Sequence, residues 1–264
     1  MRKISCGAAW RSLMVGLCLV SALPLQAAEL RVMISGGFFA AYKTLLPAFE
    51  KASGHTVTTI YGPSMGAAPE AIPNRLARGE VADVVIMAGP ALDALIGQGR
   101  VLRESRTDLA TSAIGMAVRA GARKPDISSV EAFRQTLLEA KTISYSDSAS
   151  GVYLSTVLFK QLGVAEQMQG RRRLIAGEPA GVVVARGEAE LAFQQISELL
   201  PVAGIEIVGP LPDAIQQITV FSAGIPVNAQ APEAAQALIR YLVTPTAGES
   251  IRQSGLNPVT SNNR

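Results

Sequence analysis

Cysteine is scarce: the 264 residues hold two, Cys6 and Cys18, both near the N-terminus. The rest of the chain therefore has no disulfide staple, no thiol nucleophile and no thiolate metal site. Histidine is rarer still, with His55 alone. One histidine without cysteine does not make a transition-metal site, and it does not supply a Ser-His-Asp triad. His55 lies in Ser53-Gly54-His55-Thr56, between a helical pattern and a strand. It is expected to be an exposed turn residue, at the opposite end of the sheet from the strand ends that could hold a ligand. No phosphate loop, dinucleotide fingerprint, internal repeat or low-complexity linker is present. A run long enough to span a membrane is also missing, since spanning needs roughly 20 apolar residues.

What stands at the N-terminus is an export signal. Arg2, Lys3 and Arg11 give a basic start, Ser12 to Leu25 a short apolar run, and Pro24, Ala27 and Ala28 a small-residue exit. Residues 1–28 are read as this leader. Leu17, before Cys18, is bulky where a lipoprotein signal needs a small residue, so lipidation is not expected. The leader carries three of the 24 basic residues and no acid, which leaves 21 basic against 21 acidic. A balanced mature chain implies no nucleic-acid partner. It also implies no membrane insertion after cleavage. The remaining 236 residues can build one large or two modest cores.

Strand and helix signals then alternate. Strands are expected at Leu30 to Ile34, Val57 to Tyr61, Val84 to Met87, Ile114 to Val118, Thr142 to Tyr145, Leu191 to Gln194, Ile205 to Val208 and Thr219 to Ala223. Helices are expected from Phe39 to Ser53, Ala71 to Ala77, the stretch ending at Ile96, a capped start at Ser128 running to Ala140, Val152 to Leu162, Gly181 to Gly187, and a last one from Pro232 to Val243. Such alternation builds mostly parallel sheets covered by helices. The expected fold is a two-lobed α/β architecture with an interlobe cleft. Lobe 1 comprises 29–110 with 222–264 returning to it, and lobe 2 comprises 111–221, joined by crossing strands near Ile114 and Val220.

Three strand ends run straight into small polar residues: Ser35-Gly36-Gly37, Gly62-Pro63-Ser64-Met65-Gly66, and Ser146 through Gly151. Open α/β sheets take ligands outside the carboxyl ends of their strands. Free N–H groups at helix starts there bind anions without lysine or arginine. Gly177-Glu178-Pro179-Ala180-Gly181 is either a fourth cleft loop or an ordinary turn. Gln194 and Gln195 end an apolar strand, where a glutamine needs partners; they are ligand-facing amides or edge residues. Arg171-Arg172-Arg173 reads as a solvated face, and Asp83 as a strand-start residue.

These loops, in this order, resemble the periplasmic molybdate-binding-protein family of transport receptors. Ala77-Arg78-Gly79-Glu80-Val81-Ala82-Asp83-Val84-Val85 is similar to its Gly-x-x-Ala-Asp segment. Val184-Ala185-Arg186-Gly187-Glu188-Ala189 is similar to its Val-x-x-Gly-Glu-Ala segment. The family's Ser-Leu-Thr is replaced here by Gly37-Phe38-Phe39. Its strand-end tyrosine corresponds to Gln195, and its Pro-Ala-Gly turn to Ala149-Ser150-Gly151; Ser64 is retained. Those changes point away from molybdate. Within the family, Ser35-Gly36-Gly37, Pro63-Ser64-Met65-Gly66, Ala71 to Arg78, Tyr145 to Tyr153 and Phe193 to Leu199 resemble the periplasmic aconitate isomerases.

The resemblance implies the two-lobed periplasmic solute-binding-protein fold and interconversion of cis- and trans-aconitate, a small anionic polycarboxylate; no cofactor and no metal is expected. Moving the double bond needs a base near an allylic carbon and donors for the developing charge. By loop position the candidates for the base are Asp147, Glu178, Tyr145 and Tyr153. The candidate binding residues are Ser35, Gly36, Gly37, Ser64, Met65, Ser146, Ser148, Ser150, Gly151, Gln194 and Gln195. Arg75 is either a carboxylate partner or a solvated helix residue. The alternative is a non-catalytic receptor that hands a small organic polycarboxylate or oxyanion to an ABC permease. The fold alone favours that alternative.

Overall fold

The computed structural model describes residues 27–259. The leader through residue 26, with Cys6 and Cys18, lies outside the described residues.

The first lobe begins with β1 (Glu29–Ile34), α1 (Gly36–Ser53), β2 (Thr56–Tyr61), α2 (Ile72–Ala77), β3 (Val84–Ala88), α3 (Gly89–Gly97) and β4 (Thr107–Ser112). Only the central strand β3 is apolar and buried at every position, because both of its faces are covered. Leu30, Val32, Ile34, Val84 and Ile86 pack under α1, while Met33, Val85 and Met87 pack under α2 and α3. Helix α1 buries Phe38, Ala41, Tyr42, Leu45 and Phe49, the stripe of an amphipathic helix. Gly54 ends it in the left-handed region at φ 73°, with its N–H on the Glu50 carbonyl.

The chain changes sheets at Ala113. In the second lobe follow β5 (Ile114–Arg119), α4 (Val130–Glu139), β6 (Ile143–Ser146), α5 (Ala149–Tyr153), α6 (Phe159–Gln161), β7 (Arg172–Ile175), α7 (Ala180–Ala185), β8 (Leu191–Gln195), α8 (Ile196–Leu199) and β9 (Ile205–Pro210). A π turn at Leu154–Leu158 joins α5 to α6 in one helical run. Return to the first sheet comes through β10 (Thr219–Gly224), then α9 (Pro232–Leu242), α10 (Pro245–Gln253) and β11 (Asn257–Pro258). The strand orders are β11-β4-β10-β3-β1-β2 and β7-β6-β8-β5-β9.

The two-lobed α/β architecture is as expected, but its sheets are mixed rather than mostly parallel. Strands β1, β2 and β3 pair parallel, as do β6, β7 and β8, whereas β10, β4, β11, β5 and β9 pair antiparallel. Strands β5 and β10 are those by which the chain enters from the other lobe, so no crossover helix within the sheet sets their direction, and β4, β9 and β11 complete the antiparallel pairs. Helix α10 and strands β4, β7 and β11 were not legible in the sequence. Arg172 and Arg173, read as a solvated face, are exposed on β7 at the sheet edge. The cap of α4 is Ser129, whose Oγ accepts from the Ala132 N–H at 3.1 Å, one residue later than expected.

Two polar residues away from the strand ends hold this frame. His55 is buried, not exposed: Nδ1 accepts from the Ala28 N–H at 3.1 Å, and the ring lies against Phe49. Asp83, 1% exposed, accepts from three backbone N–H groups: Arg31 at 2.8 Å, Gln230 at 2.7 Å and Ala231 at 2.9 Å. It thus serves the start of α9, whose own N-cap is an alanine.

Candidate functional site

A cavity of about 420 Å³ opens between the lobes at the carboxyl ends of their parallel strands. Gly36, Tyr61, Gly62, Pro63, Ala68 and Glu70 line it from the first lobe. Ser146, Asp147, Ser148, Ala176, Gly177, Glu178, Gln194 and Glu198 line it from the second. Helix α8 crosses to the start of α1, where the Ser197 hydroxyl donates to the Gly37 carbonyl at 2.7 Å. Gly66 meets Asp147 across the cleft. A Cβ on Gly66 would stand 2.8 Å from the Asp147 carbonyl oxygen, and its φ of 110° also favours glycine.

Glu198 is the centre of this cavity chemically. Its Oε1 accepts from Gln194 Nε2 at 3.0 Å, and the backbone N–H of Gln195 points at the same carboxyl. That second bond is the return half of a capping box at α8. Burial pushes the Glu198 carboxyl up to about 7, against the two hydrogen bonds that favour its charged form, and nearby Asp147 adds to the rise. Across the cleft, burial and the charges of Glu198 and Asp147 raise the Tyr61 phenol. Gly36 lets these groups meet: a Cβ there would collide with Glu198 Oε1 and stand 2.8 Å from the Tyr61 hydroxyl. A Cβ on Gly37 would strike the Phe221 ring. Close approach therefore explains both glycines, and it places an uncapped helix start at the cavity wall.

Asp147 is raised by burial, its own N–H working against this and Glu70 adding to it. Glu178 is held below the usual carboxylate range by Arg186, which grips it with two hydrogen bonds of 2.7 and 2.8 Å. Arg186 also binds Glu188 at 2.6 Å. No lysine or arginine is among the lining residues. Partial positive charge at the wall comes instead from the start of α1.

Of the residues proposed from sequence, Gly36, Ser146, Asp147, Ser148, Glu178 and Gln194 line the cavity. The others do not. Tyr145 is turned into the second core against Phe159, and Tyr153 donates to the Ile215 carbonyl at 2.9 Å. Both phenols are raised by burial, and neither reaches the cleft. Arg75 is not among the lining residues: it binds Glu80 at 2.7 Å and the Glu70 carbonyl at 3.1 Å. Ser64 is fully buried and accepts from the Ala88 N–H at 2.9 Å, while Met65 packs into the core. Ser150 shares a 3.2 Å hydrogen bond with Ser146. Gly151 allows α5 to press on β6, because a Cβ would strike the Ser146 carbonyl. Gln195 donates to Thr219 Oγ1 at 3.0 Å, and its Oε1 has no partner. The Ser35 hydroxyl, at the start of α1, is buried and equally unpartnered.

Glu198, Tyr61 and Glu70 were not proposed from sequence. Glu198 had a usable signal: an acid between Ser197 and Leu199, both buried, four residues after Gln194.

Residues 30–257 match the model of the bacterial extracellular solute-binding protein family. The chain is 50% identical to the aconitate isomerase of a Pseudomonas species over 252 residues, covering 94% of this chain and 96% of that protein. It is 29% identical to the molybdate-binding protein ModA of Azotobacter vinelandii over 247 residues, covering 87% of this chain and 90% of that protein. The solved Azotobacter vinelandii periplasmic molybdate-binding protein superposes with a TM-score of 0.70 at 22% identity, over 86% of this chain and 98% of the other, a likeness of fold.

Proposed function

The chain belongs to the bacterial extracellular solute-binding proteins, and from that premise we propose that it is an aconitate isomerase working in the periplasm on a free tricarboxylate. Its relative among aconitate isomerases, at half identity over nearly the full length, supports the reading. The single observation in this chain that carries it is Glu198, a carboxyl pushed up to about 7 inside an interlobe cavity beside an uncapped helix start. The segments that carry the first sheet, residues 29–112 with 219–258, and those that carry the second, residues 114–210, act as the two closing lobes.

The reaction is a proton shift along three carbons. The Glu198 carboxylate removes a proton from the methylene carbon; that C–H bond breaks and its electron pair forms the new double bond. The old double bond delivers its electrons toward the former vinyl carbon and its carboxylate. Protonated Glu198 then returns the proton to that carbon, forming the new C–H bond. Nothing is oxidised or reduced. A base near neutrality serves both halves, since it must take and give the same proton. The N–H of Gly36 and the Tyr61 hydroxyl hold the carboxylate on which charge develops. Asp147, with its raised carboxyl, is the second proton-carrying group of the cleft.

Proton NMR of the purified mature protein with trans-aconitate tests this. Appearance of cis-aconitate, lost with Glu198→Gln, is the expected result. An unchanged spectrum together with tight aconitate binding by calorimetry would make the protein a transport receptor that serves an ABC permease. Thermal stabilisation by molybdate and not by aconitate would overturn both readings.

A further inference from the structure

Gln194 was a candidate for contact with ligand, but both ends of its amide are committed within the protein. Its Oε1 accepts from the Ala180 N–H at 2.9 Å, and its Nε2 donates to Glu198 Oε1 at 3.0 Å. Ala180 is the first residue of α7, so its N–H has no partner in its own helix. The amide is 3% exposed and cannot turn to water. Flipping it would set one N–H against another, so the Ala180 N–H fixes the amide and Glu198 always faces a donor.

We propose that Gln194 is a positioning residue that holds the Glu198 carboxyl in one orientation, with Oε1 turned to the start of α1. The inference deepens the isomerase reading and rests on it for its kinetic readout alone. The oxygen that Gln194 grips is the one a Cβ on Gly36 would strike, so the bond aims the carboxyl at the uncapped helix start. An unanchored glutamate has rotamers to lose on each turnover, and anchoring removes that cost.

The other groups that face Glu198 do not replace this donor. Asp147 opposes its charged form, and the Tyr61 phenol is itself raised by Glu198 and Asp147 and keeps its proton. Helix α1 carries no acid in its first turn and no capping hydrogen bond. Glu70 acts through Asp147, and Glu178 is matched by Arg186. Gln194 and the Gln195 N–H alone favour the carboxylate, so losing Gln194 must make the proton harder to remove.

The test pairs Gln194→Met with Gln194→Glu, following carbon-13 NMR of labelled glutamate carboxyls without substrate and the pH dependence of kcat/KM with it. In Gln194→Met the Glu198 titration and the acidic limb of the profile should both rise by about one pH unit, a tenfold loss of carboxylate at a fixed acidic pH. Gln194→Glu keeps the shape and an acceptor for Ala180, and sets a second carboxyl on Glu198. Its limb should rise further as the pair shares a proton. If Gln194→Met fails to fold, Gln194→Glu carries the test. An unmoved titration with a raised KM alone would make Gln194 a substrate contact and overturn the proposal. Should the wild-type protein turn over no aconitate, the isomerase reading falls, and the carboxyl titration still decides the role of Gln194.

Discussion

Two glutamates wall the same cavity and have opposite chemistry. Glu178, at the mouth, is gripped by Arg186 through two short hydrogen bonds and stays charged. Glu198, at the inner wall, has no cation, only amide donors, and is pushed up to about 7. Residue type and cavity are shared, so partner and burial make the difference. A carboxylate with a guanidinium clamp resists protonation. One desolvated without a cation can trade a proton near neutral pH. Glu178 is thus suited to shape the entrance, and Glu198 to move protons.

The sharpest break of this comparison removes the proton from Glu198. Glu198→Gln should lower kcat for aconitate by about a thousandfold, within the range for general acid–base groups, while calorimetry finds aconitate still bound. A raised KM with kcat unchanged would return Glu198 to a mere wall residue. Next in size is Gly36→Ala, whose methyl must displace the Glu198 carboxyl and crowd the Tyr61 hydroxyl. A catalytic group moved by about 1 Å costs about a hundredfold, to be read as kcat/KM in the same assay. Wild-type activity would mean that the two lobes part at Gly36 in the working state.

A smaller effect sharpens the comparison through stability. The folded state holds the Glu198 proton more tightly than the unfolded chain does, so stability falls as pH rises from the ordinary glutamate range of about 4.3 to about 7. Above that window the cost is complete, and below it there is none. Glu198→Gln removes it. The variant should melt about 2–4 °C higher than wild type at pH 8, for each kcal/mol relieved, and level with it at pH 4. Equal melting at both values in calorimetric scans would mean that the folded state does not disfavour the Glu198 charge. Smallest of all should be Glu178→Gln. This exposed pair contributes little, so kcat/KM should stay within about threefold of wild type and the acidic limb should not move. A shifted limb would make Glu178 part of the proton path.

Several strands of both sheets were legible early. Runs such as Val84 to Met87 are apolar at every position because helices cover both faces, and a pattern of that kind survives any detail of packing. The start of α1 was less so. Its first residues, Gly36 and Gly37, are poor helix formers, so the pattern pointed to Phe39. The helix begins earlier, at Gly36, and glycine stands there because Glu198 and Phe221, far along the chain, leave no room for side chains. Tyr145 and Tyr153 sit beside cleft loops in the chain, yet strand alternation and helix phase turn them into the second core.

Sequence alone determined the two-lobed α/β architecture, the anion-friendly loops at strand ends and the resemblance to aconitate isomerases, because each is written in local pattern and neighbouring residues. Tertiary structure alone decided which acid has its carboxyl raised toward neutrality. Charge state depends on desolvation and on partners brought together from Gly36, Tyr61, Asp147 and Gln194, and no local stretch of chain contains that meeting.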